Sequence, residues 1–450
     1  MGRQPHVLVL PFPGQGHIVP IMKFAIQIAA QGVKVTFVNT EFVHAKMMAS
    51  LPEKAEERSL INFVSLPDGL ELEDDRADLV KLTESVHRTM PGYLEDFILK
   101  MSNINEQITC VIADTAVGWA HEMAKKLGIE AVAFWPSAGA GLAFSIHIPQ
   151  LLEAGLISKD GTLMTDEPIS LSKDLPPWTS SDIGSDPLIQ KLVFEFCYFV
   201  SKYAKFHDWI VCNSNYELES AALQLIPNIL PIGPLLSGNH LTTTFVGNLW
   251  PEDSTCLEWL DKQSSASVIF VAFGSTTTLS AQQVQELALG LELTGQPFLW
   301  VVRSEIMSGS LAKFPDGFID RVAERAKFVE WAPQEKVLAH PSVACFMSHC
   351  GWNSILEGLG VPFLCWPYFA DHFYNKKCIC DVWKFGLGFI EDENGIITRH
   401  EISTKIKTLL SSDDLKANAL HMKELARKSC DEGGSSFRNL KKFIEHIKSL

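Results

Sequence analysis

Short apolar runs alternate with longer amphipathic stretches along most of this chain. Residues 6–12 form the first apolar run, followed by a Gly-containing turn, a helical stretch near 19–30 and a second apolar run at 33–39. That spacing predicts a β-α-β unit with parallel strands. Further strand-like runs stand at 110–113, 130–134 and 209–212, with helical stretches between them. From 231 to 251 the pattern lapses into Pro-Ile-Gly-Pro, Ser-Gly-Asn-His and three Thr, which offer few core anchors and predict a linker. Alternation then restarts. A strand is predicted at 268–273, a turn at Gly274-Ser275-Thr276, a helix at 280–293, a strand at 298–302, and shorter strands ending at 328 and covering 344–347 and 362–366. The expected fold class is therefore α/β, with two similar doubly wound domains. Their boundaries are expected at 1–235 and 253–434, with a linker at 236–252 and a last helix at 435–450 that packs back on the first domain.

Composition narrows the partners. With 450 residues, 46% hydrophobic and 20% charged, the chain has the makeup of an ordinary globular protein. A net charge of -15 argues against nucleic acid and against an anionic membrane surface. A small phosphorylated ligand stays compatible, because backbone dipoles hold phosphate without a basic surface. The ten cysteines are scattered, mostly in apolar runs, a pattern expected of reduced, buried thiols rather than a disulfide scaffold. Cys378 and Cys380 form a Cys-x-Cys pair with no second pair at zinc spacing, so no metal is expected. The apolar run before Pro11 and Pro13 is too short for a signal-peptide core, no apolar stretch reaches membrane-spanning length, and His6 stands where myristoylation favours Ser or Thr. The expectation is a cytoplasmic, monomeric chain.

Several residues stand where chemistry is done. His17 follows the first strand at the start of a helix, the place where open α/β sheets bind ligands. An imidazole there serves either as a general base or as a helix cap. Asp114 closes the run Cys-Val-Ile-Ala-Asp. If its strand neighbours the first, its carboxylate reaches His17 and fixes the tautomer; otherwise it caps the next helix. No Gly-x-Ser-x-Gly elbow accompanies the pair, so the nucleophile would come from a substrate. In the second half, Cys350-Gly-Trp-Asn-Ser354 opens a helix whose first N–H groups suit an anion, while Ser354 and Glu357 also match a capping box. Gly274-Ser275 offers another phosphate contact, and Trp331 is placed to stack on a planar ring, an interaction worth roughly 1–3 kcal/mol. The segment 331–372 holds three Trp and three His, an unusual density of polar-tipped side chains for a plain core.

That segment resembles the signature box of plant UDP-dependent glycosyltransferases through Trp-Ala-Pro-Gln, His-Cys-Gly-Trp-Asn-Ser, Leu-Glu, Gly-Val-Pro, Trp-Pro and Ala-Asp. The resemblance extends to Pro-Phe-Pro-Gly-Gln-Gly-His-Ile near the N-terminus and Phe-Gly-Ser in mid-chain. It implies a GT-B fold, two Rossmann-like domains with a cleft between them, and inverting, metal-independent hexosyl transfer. By motif position, Trp331 stacks on uracil and Ala332 bonds it through the backbone. Gln334 and Glu357 hold the ribose. Ser275, His349, Asn353 and Ser354 bind the diphosphate, and Trp352, Asp371 and His372 contact the sugar. His17 is the base and Asp114 its support.

Two departures from the family pattern fall at the sugar end. The box ends Asp371-His372 where the family usually has Asp-Gln, a change associated there with galactose or pentose donors; one hydrogen bond from His still allows glucose. Between Glu357 and Gly360 the box is shorter by about two residues, so the helix must end early or the loop tighten. An acceptor pocket is expected from Phe12, Trp119, Phe134, Phe144, Phe194 and Phe196, with Phe369 from the second domain, for a small lipophilic acceptor such as a flavonoid, another phenol or a terpenoid. The rival readings are carbon rather than oxygen glycosylation, a non-catalytic UDP-sugar binding protein, and a hydrolase using the His–Asp pair on water.

Overall fold

The computed structural model describes residues 4–50, 61–165, 167–183, 187–236, 249–275, 277–302 and 313–450. Residues 237–248 of the expected linker and Thr276 of the expected turn lie outside that set. The chain divides into two compact units, one of residues 1–180, 185–250 and 426–450, the other of 181–184 and 251–425.

The first unit contains a wholly parallel sheet. Its strands are β1 His6–Leu10, β2 Lys34–Thr40, β3 Ile61–Leu66, β4 Cys110–Asp114, β5 Glu130–Trp135, β6 Trp209–Cys212 and β7 Ile229–Pro231, in the order β3-β2-β1-β4-β5-β6-β7. All residues of β1 and β4 are buried, as near-continuous apolar runs covered on both faces must be. The helix after β1 is Gln15–Ala30, four residues longer at its start than the apolar pattern suggests, because Gln15, Gly16 and His17 carry no apolar side chain to mark its first turn. The C-terminal helix Ser435–Ser449 closes one face of this unit. Phe443 and Ile447 are wholly buried in the same core as Phe24 and Phe134, and Asn439 Nδ2 donates to the Pro231 carbonyl at 2.8 Å. Burying Phe443 there contributes about 1.5–3 kcal/mol.

The second unit repeats the plan. Its strands are β8 Val268–Ala272, β9 Phe298–Val301, β10 Ala326–Val329, β11 Val343–Ser348, β12 Phe363–Cys365 and β13 Gly386–Gly388, in the order β10-β9-β8-β11-β12-β13, again all parallel. In both sheets the order reverses between the first strand and the fourth: β1 beside β4, and β8 beside β11. Open α/β sheets bind ligands outside the carboxyl ends of the strands at such a reversal. All ten cysteines are free, seven of them buried. Among the described residues no helix is long and apolar enough to cross a membrane.

Candidate active site

His17 and Asp114 meet at the reversal point of the first sheet. β4 pairs with β1 with Ala113 opposite Leu10, so Asp114 ends its strand beside the turn that leads into the His17 helix. His17 Nδ1 donates to Asp114 Oδ2 at 2.7 Å. The Asp114 side chain is wholly buried while that of His17 is 30% exposed. A carboxylate only accepts, so the proton of the neutral ring sits on Nδ1 and Nε2 keeps its lone pair. Asp114 also caps: its Oδ1 accepts from Ala116 N–H at 2.8 Å, at the start of a short 3-10 turn. Orienting and capping are thus both done by one carboxylate, one oxygen each. His17 does not cap its own helix, whose cap residue is Gly14.

Of the aromatic candidates of this unit, Phe12, Trp119 and Phe196 belong to one hydrophobic cluster. Phe12 lies beside the base, its ring centroid 5.2 Å from that of His17. Phe134 is the clear correction. It is completely buried in the core, stacked 5.7 Å from Phe24, because β5 turns it toward the helices rather than toward the strand ends. Trp119 is buried, with no partner for its indole N–H. Phe144 packs on Trp178 at 4.5 Å, Phe194 on Tyr198 at 6.1 Å, and the half-buried Phe196 on Trp135 at 6.3 Å. Trp135 and Trp178 meet their partners from distant segments that no local pattern joins, while Tyr198 stands one turn from Phe194 on helix Pro187–Tyr203. The buried His121 and the half-buried His207 line a small cavity with Thr115. Burial pushes them down to about 3 and about 4.

The second unit places its candidates around the matching reversal point, after β8 and β11. Ser275 follows β8 and is half-buried. His349 follows β11, and its ring lies between two glycines. A Cβ on Gly274 would stand 2.8 Å from His349 Nε2, and one on Gly351 only 2.4 Å away. Any other residue at either place would displace the imidazole. His349 is buried, its Nδ1 has no partner, and burial pushes its pKa down to about 3, with His372 adding to the effect. His372 packs edge-on against it, centroids 4.7 Å apart, and burial likewise pushes it down to about 3. Its Nδ1 accepts from Phe369 N–H at 3.1 Å, which leaves Nε2 to carry the ring proton.

Helix Trp352–Glu357 starts at Gly351, with Ile355 N–H closing the first bond onto the Gly351 carbonyl at 3.0 Å. Ser354 is therefore inside the helix, and the capping-box alternative for Ser354 and Glu357 does not hold. Both face Gln334 instead, whose Nε2 donates to Ser354 Oγ at 2.8 Å and to Glu357 Oε2 at 2.6 Å. Asn353 is half-buried. The Trp352 ring is buried against Trp383, with centroids 6.3 Å apart. Trp331 is half-buried and its carbonyl accepts from Asp253 N–H at 2.9 Å; Ala332 beside it is buried. The shortened stretch is absorbed by an early stop. The helix ends at Glu357, and Val361 N–H bonds the Gly358 carbonyl at 3.0 Å before β12 begins. The half-buried Asp371 and Phe369 flank Ala370, which holds a left-handed φ of 51°. Cys350 is the other non-glycine residue of this region in that conformation, with φ 66°. Each such residue costs of order 1–3 kcal/mol and persists only where its surroundings hold it. Among the described residues no three His, Cys, Asp or Glu side chains converge as a metal site.

Comparison with known proteins agrees over the whole length. The family model for UDP-glucoronosyl and UDP-glucosyl transferase matches residues 6–430. UDP-glycosyltransferase 83A1 of Arabidopsis thaliana is similar at 42% identity over 467 residues, spanning 100% of this chain and 98% of that protein. Among solved structures, a UDP-glucosyltransferase from Polygonum tinctorium capable of glucosylating indoxyl, in complex with 3,4-dichloroaniline, has a TM-score of 0.83 at 28% identity, covering 100% of both chains. Phytolacca americana UGT2, complexed with UDP-2fluoro-glucose and pterostilbene, has a TM-score of 0.81 at 29% identity, covering 98% of this chain and 99% of that one. With a profile match, a relative of this identity and two GT-B neighbours spanning it end to end, this chain belongs to the UDP-glucoronosyl and UDP-glucosyl transferase family and is a UDP-glycosyltransferase.

Proposed function

We propose that the enzyme transfers glucose from UDP-glucose, with inversion, to a hydroxyl of a small lipophilic acceptor, and that His17 is the base. The observation that carries this reading is the 2.7 Å bond from His17 Nδ1 to the wholly buried Asp114. It leaves Nε2 basic on a ring that is partly exposed. In the proposed reaction Nε2 takes the acceptor's hydroxyl proton as the oxygen attacks the anomeric carbon. The carbon–oxygen bond to UDP breaks on the opposite face, and UDP leaves with the electron pair. A positioned base contributes roughly 10²–10⁴-fold, and holding both reactants in line supplies much of the rest.

Charge grows on the departing UDP. Ser275, His349, Ser354 and the first N–H groups of helix Trp352–Glu357 are the proposed diphosphate contacts, acting without a metal. Trp331 would stack on uracil and Ala332 bond it; Gln334 and Glu357, already joined at 2.6 Å, would turn to the ribose hydroxyls. Asp371 and His372 would read the sugar. His372 offers a single donor, Nε2–H, which is enough for one sugar hydroxyl and is compatible with glucose. With its ring packed on Trp383, Trp352 would act through its backbone. A flat apolar acceptor suits Phe12 beside His17, and the two solved neighbours hold pterostilbene and 3,4-dichloroaniline. Cytoplasmic location and a monomeric state belong to the same proposal.

The test is a donor-by-acceptor panel. UDP-glucose, UDP-galactose, UDP-xylose and UDP-arabinose are each incubated with phenols and terpenoid alcohols, with chelator present, and UDP and products are quantified. Glucoside formation with UDP release that requires acceptor supports the reading. UDP release that never depends on acceptor makes the protein a hydrolase; carbon-linked product or a different preferred sugar replaces the corresponding part.

A further inference from the structure

We infer that Asn375 is a positioning residue that ties the sugar end of the donor site to its phosphate end. It stands on helix His372–Lys377 and is only 1% exposed. Its side-chain amide has two hydrogens, and both are committed. Nδ2 donates to the Cys350 carbonyl at 3.0 Å and to Asp371 Oδ2 at 3.0 Å. The backbone repeats the second link, Asn375 N–H donating to the Asp371 carbonyl at 2.8 Å.

The two tethered places are the strained ones. Cys350 is left-handed at φ 66° and immediately precedes Gly351, where helix Trp352–Glu357 begins. Asp371 follows Ala370, left-handed at φ 51°. One primary amide therefore anchors the carboxylate proposed to read the sugar to the Cys350 carbonyl, while the turn itself is held separately by Cys350 N–H donating to Ser348 Oγ at 3.2 Å. Only Asn fits both demands at this length. Asp cannot donate and would set a second carboxylate against Asp371; Gln carries its amide one carbon too far; Ala or Leu donates nothing. A charge-assisted bond to a half-buried carboxylate is stronger than a neutral one, so losing it should matter by about tenfold.

The inference rests on the assignment of Asp371 to the sugar, and the experiment separates the two. Dissociation constants for UDP and for UDP-glucose are measured by calorimetry on wild type, Asn375→Ala, Asn375→Asp, Asp371→Ala and the double variant Asp371→Ala/Asn375→Ala. The expected result is a UDP-glucose affinity about tenfold weaker in both Asn375 variants with UDP affinity unchanged, and a double variant no weaker than Asp371→Ala alone. Asn375→Asp keeps the side-chain shape, so it serves if the Ala variant does not fold. Equal loss of UDP and UDP-glucose affinity would show a merely structural residue and overturn the inference. Losses that add in the double variant would overturn it too, since Asn375 would then not act through Asp371. If Asp371→Ala itself leaves UDP-glucose binding intact, the assignment of Asp371 to the sugar falls, and the inference with it.

Discussion

The reversal points of the two sheets occupy the same place, after the first and fourth strands, yet they are furnished in opposite ways. Between β1 and β4 stands a hydrogen-bonded pair, a buried carboxylate orienting a partly exposed imidazole. Between β8 and β11 stand imidazoles kept neutral by burial, His349 and His372, with two glycines pressed against one of them. The first arrangement suits moving a proton. The second suits gripping a ligand that brings its own charge. In the proposed function one fold position would serve both tasks, the division lying in a handful of side chains rather than in topology.

The largest effect is expected from altering the His17–Asp114 pair. Asp114→Asn removes the acceptor that holds the His17 proton on Nδ1, so the ring can adopt the wrong tautomer. Turnover should fall about 10²–10⁴-fold while UDP affinity, read by calorimetry, stays put. The matching change in the second unit is Gly351→Ala. The backbone there has φ -64° and ψ 141°, which alanine adopts freely, so the effect comes from the methyl group alone, 2.4 Å from His349 Nε2. UDP affinity should weaken about 10–100-fold, and an unchanged affinity would remove His349 from the diphosphate site.

A smaller effect sharpens the neutral side. His349 and His372 have folded pKa values of about 3, well below the ordinary value of about 6.5 that they regain on unfolding. Below pH 6.5 the unfolded chain binds protons that the folded one refuses. Stability from these groups is therefore fully present above 6.5 and declines as pH falls from 6.5 toward 3, by up to about 1.4 kcal/mol per pH unit for each. Thermal unfolding midpoints at pH 7.5 and 5.5 should show the drop, and His372→Gln should make it shallower. The least effect is expected on sugar choice. His372→Gln should shift relative rates among UDP-glucose, UDP-galactose and the UDP-pentoses only a few-fold, since it exchanges one donor for another. An unchanged preference would remove His372 from sugar reading.

The same contrast explains what was legible in the sequence. The donor candidates come from one contiguous stretch, 331–372, plus Ser275, and short-range spacing such as Gln334 to Ser354 and Glu357 survives folding almost directly. The His17–Asp114 contact needed one topological condition, that β4 lie beside β1, and parallel sheets commonly meet it. Among the aromatic candidates Phe134 was misplaced because hydrophobicity does not say which face of a strand is used. Phe134 reads like a pocket residue and sits in the core, while Trp178 reads like a loop residue and packs on Phe144. β13 was invisible for a different reason: Gly386-Leu387-Gly388 has no strand propensity and is held by its pairing to β12. Asn375 gave no signal either, since its two bonds depend on the left-handed turns at Cys350 and Ala370.

The central claim is that the first unit supplies the base and the second the donor grip. Its most direct test is His17→Ala, assayed for UDP binding by calorimetry and for glucoside formation in parallel. UDP affinity should equal that of wild type while product formation falls by at least about 10²-fold. Retained turnover, or UDP affinity lost together with it, would contradict the claim.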